Sequence, residues 1–150
     1  MTTENLHANL LRPVLAAEDD EGDAMLLRLA FKRADIPNPL VVVRDGHEAV
    51  EYLSGVAPFE DRAAFPLPAL LLLDLKMPRL NGFDVLDWWR AQTELRDLPV
   101  IVLSSSSHEN DIDKARKMGA REYIVKPHGF AELTTLIQEL GRRWLTAVPA

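Results

Sequence analysis

The chain contains no cysteine. That excludes disulfides, thiolate metal sites and a cysteine nucleophile, and it fits a reducing cytosol. The N-terminus, Met-Thr-Thr-Glu-Asn-Leu-His, lacks the basic stretch and apolar core of a signal peptide. No apolar run is long enough to cross a bilayer, so a cytoplasmic protein without a membrane partner is expected. There is no Gly-x-Gly-x-x-Gly and no phosphate-binding P-loop. Internal repeats and low-complexity tracts are missing as well. Positive charge is in deficit: 17 Lys and Arg against 23 Asp and Glu leave a net charge of −6. That argues against nucleic acid as a partner. What remains is an ordinary soluble composition, 47% hydrophobic and 27% charged over 150 residues. A chain of that size suits one domain with a substantial core.

Residues 69–73 form a short apolar run with no alternation, as expected of a strand buried on both faces of a parallel sheet. The run stops at Asp74, and Met77-Pro78 and Asn81-Gly82 then turn the chain. Similar apolar segments at residues 13–17, 40–43, 100–103 and 122–125 read as four further strands. Helical spacing predicts helices over about 20–34, 46–53, 82–92, 109–118 and 130–145. Residues 1–11 read as a lead-in, 12–145 as the domain and 146–150 as a tail. The segment 55–68, with Pro58, Pro66 and Pro68, reads as a long surface loop. Five strands alternating with five helices predict a doubly wound α/β sandwich, a flavodoxin-like parallel sheet of order 2-1-3-4-5.

The polar clusters follow strands: Glu18, Asp19 and Asp20 after the first, Asp74 after the third, Ser104 after the fourth and Lys126 after the fifth. In the order 2-1-3-4-5 these four strands are neighbours, so their C-terminal ends converge on one pocket. Converging carboxylates repel unless a proton or a cation intervenes. Oxygen-only donors favour a hard cation, Mg²⁺ before Ca²⁺. Lys126 and Ser104 suit an anionic group beside it. Each feature also has a plain structural use. Acids at a helix start act as caps and dipole partners, serine runs make turns, and Lys-Pro ends strands. Their coincidence at the ends of the right strands is what points to a site.

With Glu18-Asp19, Asp74-Leu-Lys-Met-Pro-Arg-Leu-Asn-Gly, Ser104 and Lys126-Pro127 in these places, residues 12–145 resemble a bacterial response regulator receiver domain. The resemblance implies that Asp74 is the phosphoacceptor for a sensor histidine kinase. It implies Mg²⁺ held by Glu18, Asp19, Asp74 and the backbone carbonyl of Lys76. Ser104 would hydrogen-bond the phosphoryl group, Lys126 would pair with it, Tyr123 would be the aromatic switch, and Lys126–Pro127 would be cis. Glu18 stands where Asp is frequent, and Ser105 where Ala is common. Ser105 bears on water access and so on phosphoryl lifetime.

A narrower resemblance lies in the stretch Asn38-Pro-Leu-Val-Val-Val-Arg-Asp-Gly-His-Glu-Ala-Val-Glu-Tyr-Leu, the loop at 55–68 and the aromatic end of the last helix. These are similar to the small stand-alone regulators that serve bacterial phytochrome kinases. Such a regulator has no DNA-binding output domain and signals by protein contact. Trp144 and Leu145 lie beyond the expected cover of the sheet, which suggests a homodimer seam through the last helix unless Trp144 packs on its own domain. Two other functions compete with the signalling module. A phosphatase with an aspartyl-phosphate intermediate would carry a second Asp two residues after the first, where Lys76 stands. A phosphorylation-independent scaffold would have no need to keep all the acids, Asp74, Ser104 and Lys126. The expectation is therefore a signalling receiver, not an enzyme beyond its own phosphorylation and dephosphorylation.

Overall fold

The structure is a computed structural model that describes residues 12–145. The lead-in at 1–11 and the tail at 146–150 lie outside the described residues. Strands β1 (Val14–Ala17), β2 (Leu40–Val43), β3 (Leu70–Leu73), β4 (Val100–Ser104) and β5 (Glu122–Val125) pair in parallel in the order β2-β1-β3-β4-β5. Between and after them run α1 (Glu21–Arg33), α2 (Gly46–Ser54), α3 (Gly82–Arg90), α4 (Glu109–Lys117) and α5 (Phe130–Leu140). This is the doubly wound sandwich that the alternation of elements predicts.

The two-residue period of the strands divides the core. Leu15, Ala17, Leu71, Leu73, Val100 and Val102 pack with Ala49, Leu53, Val85, Leu86, Trp89 and Ala115, so α2, α3 and α4 cover one face. Val14, Ala16, Leu70, Leu72, Ile101 and Leu103 pack with Leu27, Ala30, Phe31, Ile137 and Leu140, so α1 and α5 cover the other. All four residues of β3 are at most 2% exposed, which explains a strand with no polar position.

The segment 55–68 is the surface loop the sequence predicts, without helix or strand, and side chains pin it to the domain. Arg62 Nη1 donates to the carbonyls of Tyr52 (2.8 Å) and Phe65 (3.1 Å), and Nη2 to that of Leu53 (2.9 Å). Tyr52, Phe59 and Phe65 meet in tilted and edge-to-face contacts, with centroids 5.1 to 6.1 Å apart. The guanidinium therefore closes the C-terminal end of α2, where helix carbonyls lack partners.

Other expectations need correction. The last helix is not one continuous α-helix. After Leu140 it passes into a π-helical turn, Gly141–Leu145. Leu145 is buried, and Trp144 packs partly buried against the α1/α5 side of the core while its indole N–H donates to Glu122. The expectation of a dimer seam drew on these residues lying uncovered, whereas Leu145 is buried and Trp144 partly buried on their own domain. Finally, the cis peptide among the described residues is Ala57–Pro58, so Lys126–Pro127 is trans. The isomer preference of an X–Pro bond is too small for the dipeptide to decide it.

Replacing Arg62 with alanine is expected to destabilise the domain by about 2 kcal/mol, because three backbone carbonyls lose a charged donor. A urea midpoint unchanged from wild type would show that water replaces the guanidinium at no cost.

Candidate phosphoacceptor site

Strand register sets the site. Ala17 lies opposite Leu73, so the residues that follow them, Glu18 and Asp74, come side by side. Ser104 lies opposite Val125, which puts Lys126 just past the end of β4. The backbone carries these ends beyond the strands: Asp74 N donates to Ala17 O (3.2 Å) and Lys126 N to Ser104 O (2.8 Å). Behind Asp74, Asn81 and Asp84 form a reciprocal capping box that starts α3. Gly82 sits so close that a Cβ there would stand 2.4 Å from Asp74 O, which accounts for the Asn-Gly pair.

The Lys126 ammonium binds three carboxylates: Glu18 (2.5 Å), Asp23 (3.0 Å) and Asp74 (3.1 Å). Carboxylate oxygens of Glu18, Asp19 and Asp74 all fall within 4.8 Å of one another. Glu18 and Asp74 are buried, whereas Asp19 is exposed and has no hydrogen bond or ion pair among the described residues. Burial pushes the Glu18 carboxyl up to about 7, against the opposing pull of the hydrogen bond from Lys126. Burial also acts to lower the Lys126 ammonium, but the hydrogen bond to Glu18 and the charge of Asp74 outweigh it, so its pKa is raised. Three close carboxylate donors with no His or Cys fit a hard divalent cation.

The remaining expected residues are placed differently. Lys76 N donates to Asp74 Oδ1 (3.3 Å), and Lys76 lines an open recess with Asp19, Met77, Pro78, Asn81, Phe83 and Asp111. Ser104 is fully buried, and its hydroxyl accepts from Ser106 N (3.3 Å). Tyr123 is partly buried, and its hydroxyl donates to Ser106 O (2.8 Å). Ser104 and Tyr123 are thus joined to one another through Ser106. Ser105 is exposed.

Two participants escaped the sequence. Asp23 reads as an ordinary first-turn acid, three residues after the Asp20 cap. Ser106, which bonds Asp111 through its hydroxyl, is hidden in a run of four serines.

An acid cluster and a lysine converging at the C-terminal edge of a 2-1-3-4-5 sheet define a receiver-type signalling domain. The family model for the response regulator receiver domain matches residues 14–138, and the chain belongs to that family. Receiver-domain response regulators are two-component signalling proteins, not metabolic enzymes. The chain is similar to response regulator Rcp1 of Synechocystis, at 29% identity over 94% of both chains. Against the Mn²⁺-bound structure of Rcp1 the TM-score is 0.81, at 30% identity, covering 93% of this chain and 99% of that one. Response regulator RPA3017, in red light signalling of R. palustris, superimposes with a TM-score of 0.86 at 38% identity, covering 93% and 97%. The phosphorylated cyanobacterial phytochrome response regulator RcpA gives 0.84 at 29% identity, with the same coverage.

The unpaired Asp19 yields a test of the metal site. Millimolar Mg²⁺ is expected to raise the melting temperature of the wild type, since a ligand bound only by the folded state stabilises it. Asp19→Asn should melt no lower than wild type in chelator, because it relieves carboxylate repulsion, and should lose most of the metal-induced rise. An equal rise in both proteins would remove Asp19 from the site.

Proposed function

We propose that this protein is a response regulator that accepts a phosphoryl group on Asp74 from a phosphohistidine of a sensor histidine kinase. The observation that carries this reading is the ammonium of Lys126 held between Glu18 and Asp74, with a free Asp19 carboxylate beside them. A carboxylate nucleophile approaches an anionic donor against charge repulsion, and that approach needs positive charge already in place. Lys126 supplies a fixed part of it. Mg²⁺, when held by Glu18, Asp19, Asp74 and the Lys76 carbonyl, supplies charge neutralisation at the phosphoryl oxygens.

In the transfer, an Asp74 carboxylate oxygen forms the new bond to phosphorus. The phosphorus–nitrogen bond of the donor breaks, and its electron pair returns to the imidazole. Lys126 then holds a phosphoryl oxygen, and the Ser104 hydroxyl leaves the Ser106 amide to donate to another. Because Ser106 also holds Tyr123 and Asp111, that rotation reaches the face made by α4, β5 and α5. The added charge of about −1.5 to −2 biases this element between two arrangements.

The kinase is a phytochrome in this reading, supported by the likeness to the phytochrome response regulator RcpA and to RPA3017 of red light signalling. Transfer then takes place in the cytoplasm, and output passes through protein contact. Helix α1 starts at the site and exposes Met25 (63%), Leu26 (44%) and Leu29 (48%) on adjoining positions. That apolar patch suits the kinase helix that presents the histidine.

Incubation with acetyl phosphate and Mg²⁺ is expected to add one phosphoryl group by intact mass, lost in Asp74→Asn and in chelator. Absence of the adduct, together with absence of transfer from a panel of phosphorylated kinases, would favour a phosphorylation-independent scaffold. Changing Met25 and Leu29 together to Asp should cut transfer from a competent kinase by about tenfold or more. Labelling by acetyl phosphate should stay within about twofold, since no partner protein is needed there. Equal losses with both donors would remove α1 as the docking surface.

A further inference from the structure

Asp23 is absent from the metal cluster yet bonds the lysine at its centre. An ammonium has three donors, and in Lys126 all three are taken, by Glu18, Asp23 and Asp74. A phosphoryl oxygen can be bound by Lys126 only after one carboxylate lets go. Glu18 and Asp74 belong to the carboxylate trio that fits a cation. A divalent ion therefore offsets their charge and weakens their hold on the lysine. Asp23 lies outside that trio, so its charge persists. Its side chain is 46% exposed, so water can take its place on leaving.

The aim of Asp23 is built into the start of α1. Asp20 N donates to Glu18 Oε2 (3.1 Å), and Asp23 N donates to Asp20 Oδ1 (2.8 Å). Asp23 Oδ2 then accepts from Lys126, which returns to Glu18 Oε1. This closed ring fixes the first turn of the helix against the lysine. A first-turn acid serves the helix dipole as well, but Glu21 does so in the same turn. Glu21 faces Arg44 at 3.9 Å and does not touch Lys126.

From this geometry we infer that Asp23 is a positioning residue that competes with the incoming phosphoryl group for Lys126 and so slows acceptance by Asp74. The inference rests on the reading of Asp74 as phosphoacceptor. With acetyl phosphate as donor, an Asp74 oxygen bonds to phosphorus while the bond from phosphorus to the acetyl oxygen breaks and its electron pair leaves with acetate. The transferring group gains Lys126 only as Asp23 yields it.

The test is the rate of labelling by acetyl phosphate at saturating Mg²⁺, followed by intact mass, in wild type, Asp23→Asn, Asp23→Glu and Glu21→Gln. Asp23→Asn is expected to label about 3- to 10-fold faster, the range for one partly exposed charge at close quarters. Asp23→Glu should restore the slow rate, and Glu21→Gln should match wild type. The gap between Asp23→Asn and wild type should narrow in high salt, which a purely structural role would not produce. A labelled wild type with Asp23→Asn equal or slower would overturn the inference and leave the acceptor reading standing. Equal acceleration in Glu21→Gln would also overturn it, by showing a general charge effect. A wild type that takes no label would overturn the acceptor reading itself.

Discussion

Among the described residues, the ammonium of Lys126 is the positive charge that pairs with the carboxylates gathered here, Glu18, Asp23 and Asp74 beside Asp19, and the arrangement of the site depends on it. It bonds the residues just past β1 and β3 and one in α1 while standing just past β5, so it ties together elements far apart in sequence. Two of its partners are buried, and a buried carboxylate without a counter-charge would take up a proton instead. Burial pushes the Glu18 carboxyl upward, against the pull of the hydrogen bond and charge of the lysine. The excess of negative charge keeps the pocket receptive to a cation.

The same lysine links the site to the far side of the domain. β5 carries Lys126 at its end, Tyr123 within it and Glu122 at its start. Tyr123 reaches the Ser106 carbonyl, and Ser106 reaches Ser104 and Asp111 on either side. Glu122 accepts two hydrogen bonds from Arg143 and one from the Trp144 indole. A shift at the strand end therefore has two outlets, one into the β4–α4 loop and one into the turn that ends the described chain. On the proposed reading, a rotation of Ser104 would break its bond from the Ser106 amide while Ser106 keeps Asp111 and Tyr123. The second is stiffer, because a bidentate guanidinium fixes direction as well as distance.

Much of this was legible in the sequence because it depends on local rules. Strand runs buried on both faces and helices with a 3.6-residue stripe mark the elements, and right-handed crossovers then order the sheet. Glu18, Asp74 and Lys126 each directly follow a strand and Ser104 ends one, so they could be assigned to one pocket, because strand ends in this topology are neighbours. Asp23 and Ser106 were not legible, since their roles depend on which of several equivalent polar side chains a particular turn aims inward. Arg62 was missed for a related reason. A proline-rich segment with scattered charges looks solvated, and only the three-dimensional path shows one guanidinium meeting three carbonyls. Trp144 was misjudged because a length estimate for an α-helix does not anticipate the π-helical turn that swings it back toward Glu122.

These misjudged residues share a physical character that separates them from the legible ones. Apolar burial is non-directional, so a pattern of side chains suffices to place it. Hydrogen bonds are directional, and a shift of a fraction of a turn exchanges one partner for another. The fold of this chain rests mainly on the first kind of interaction and its site on the second. Lys126 spans both, since its place past β5 follows from the apolar sheet while its three partners follow from turns and caps. Substitutions that leave the core intact can therefore retune the site through the order in which carboxylates release that one ammonium. On the proposed reading, relatives with the same sheet and the same aspartate at this strand end can then differ in phosphoryl chemistry without any change of fold.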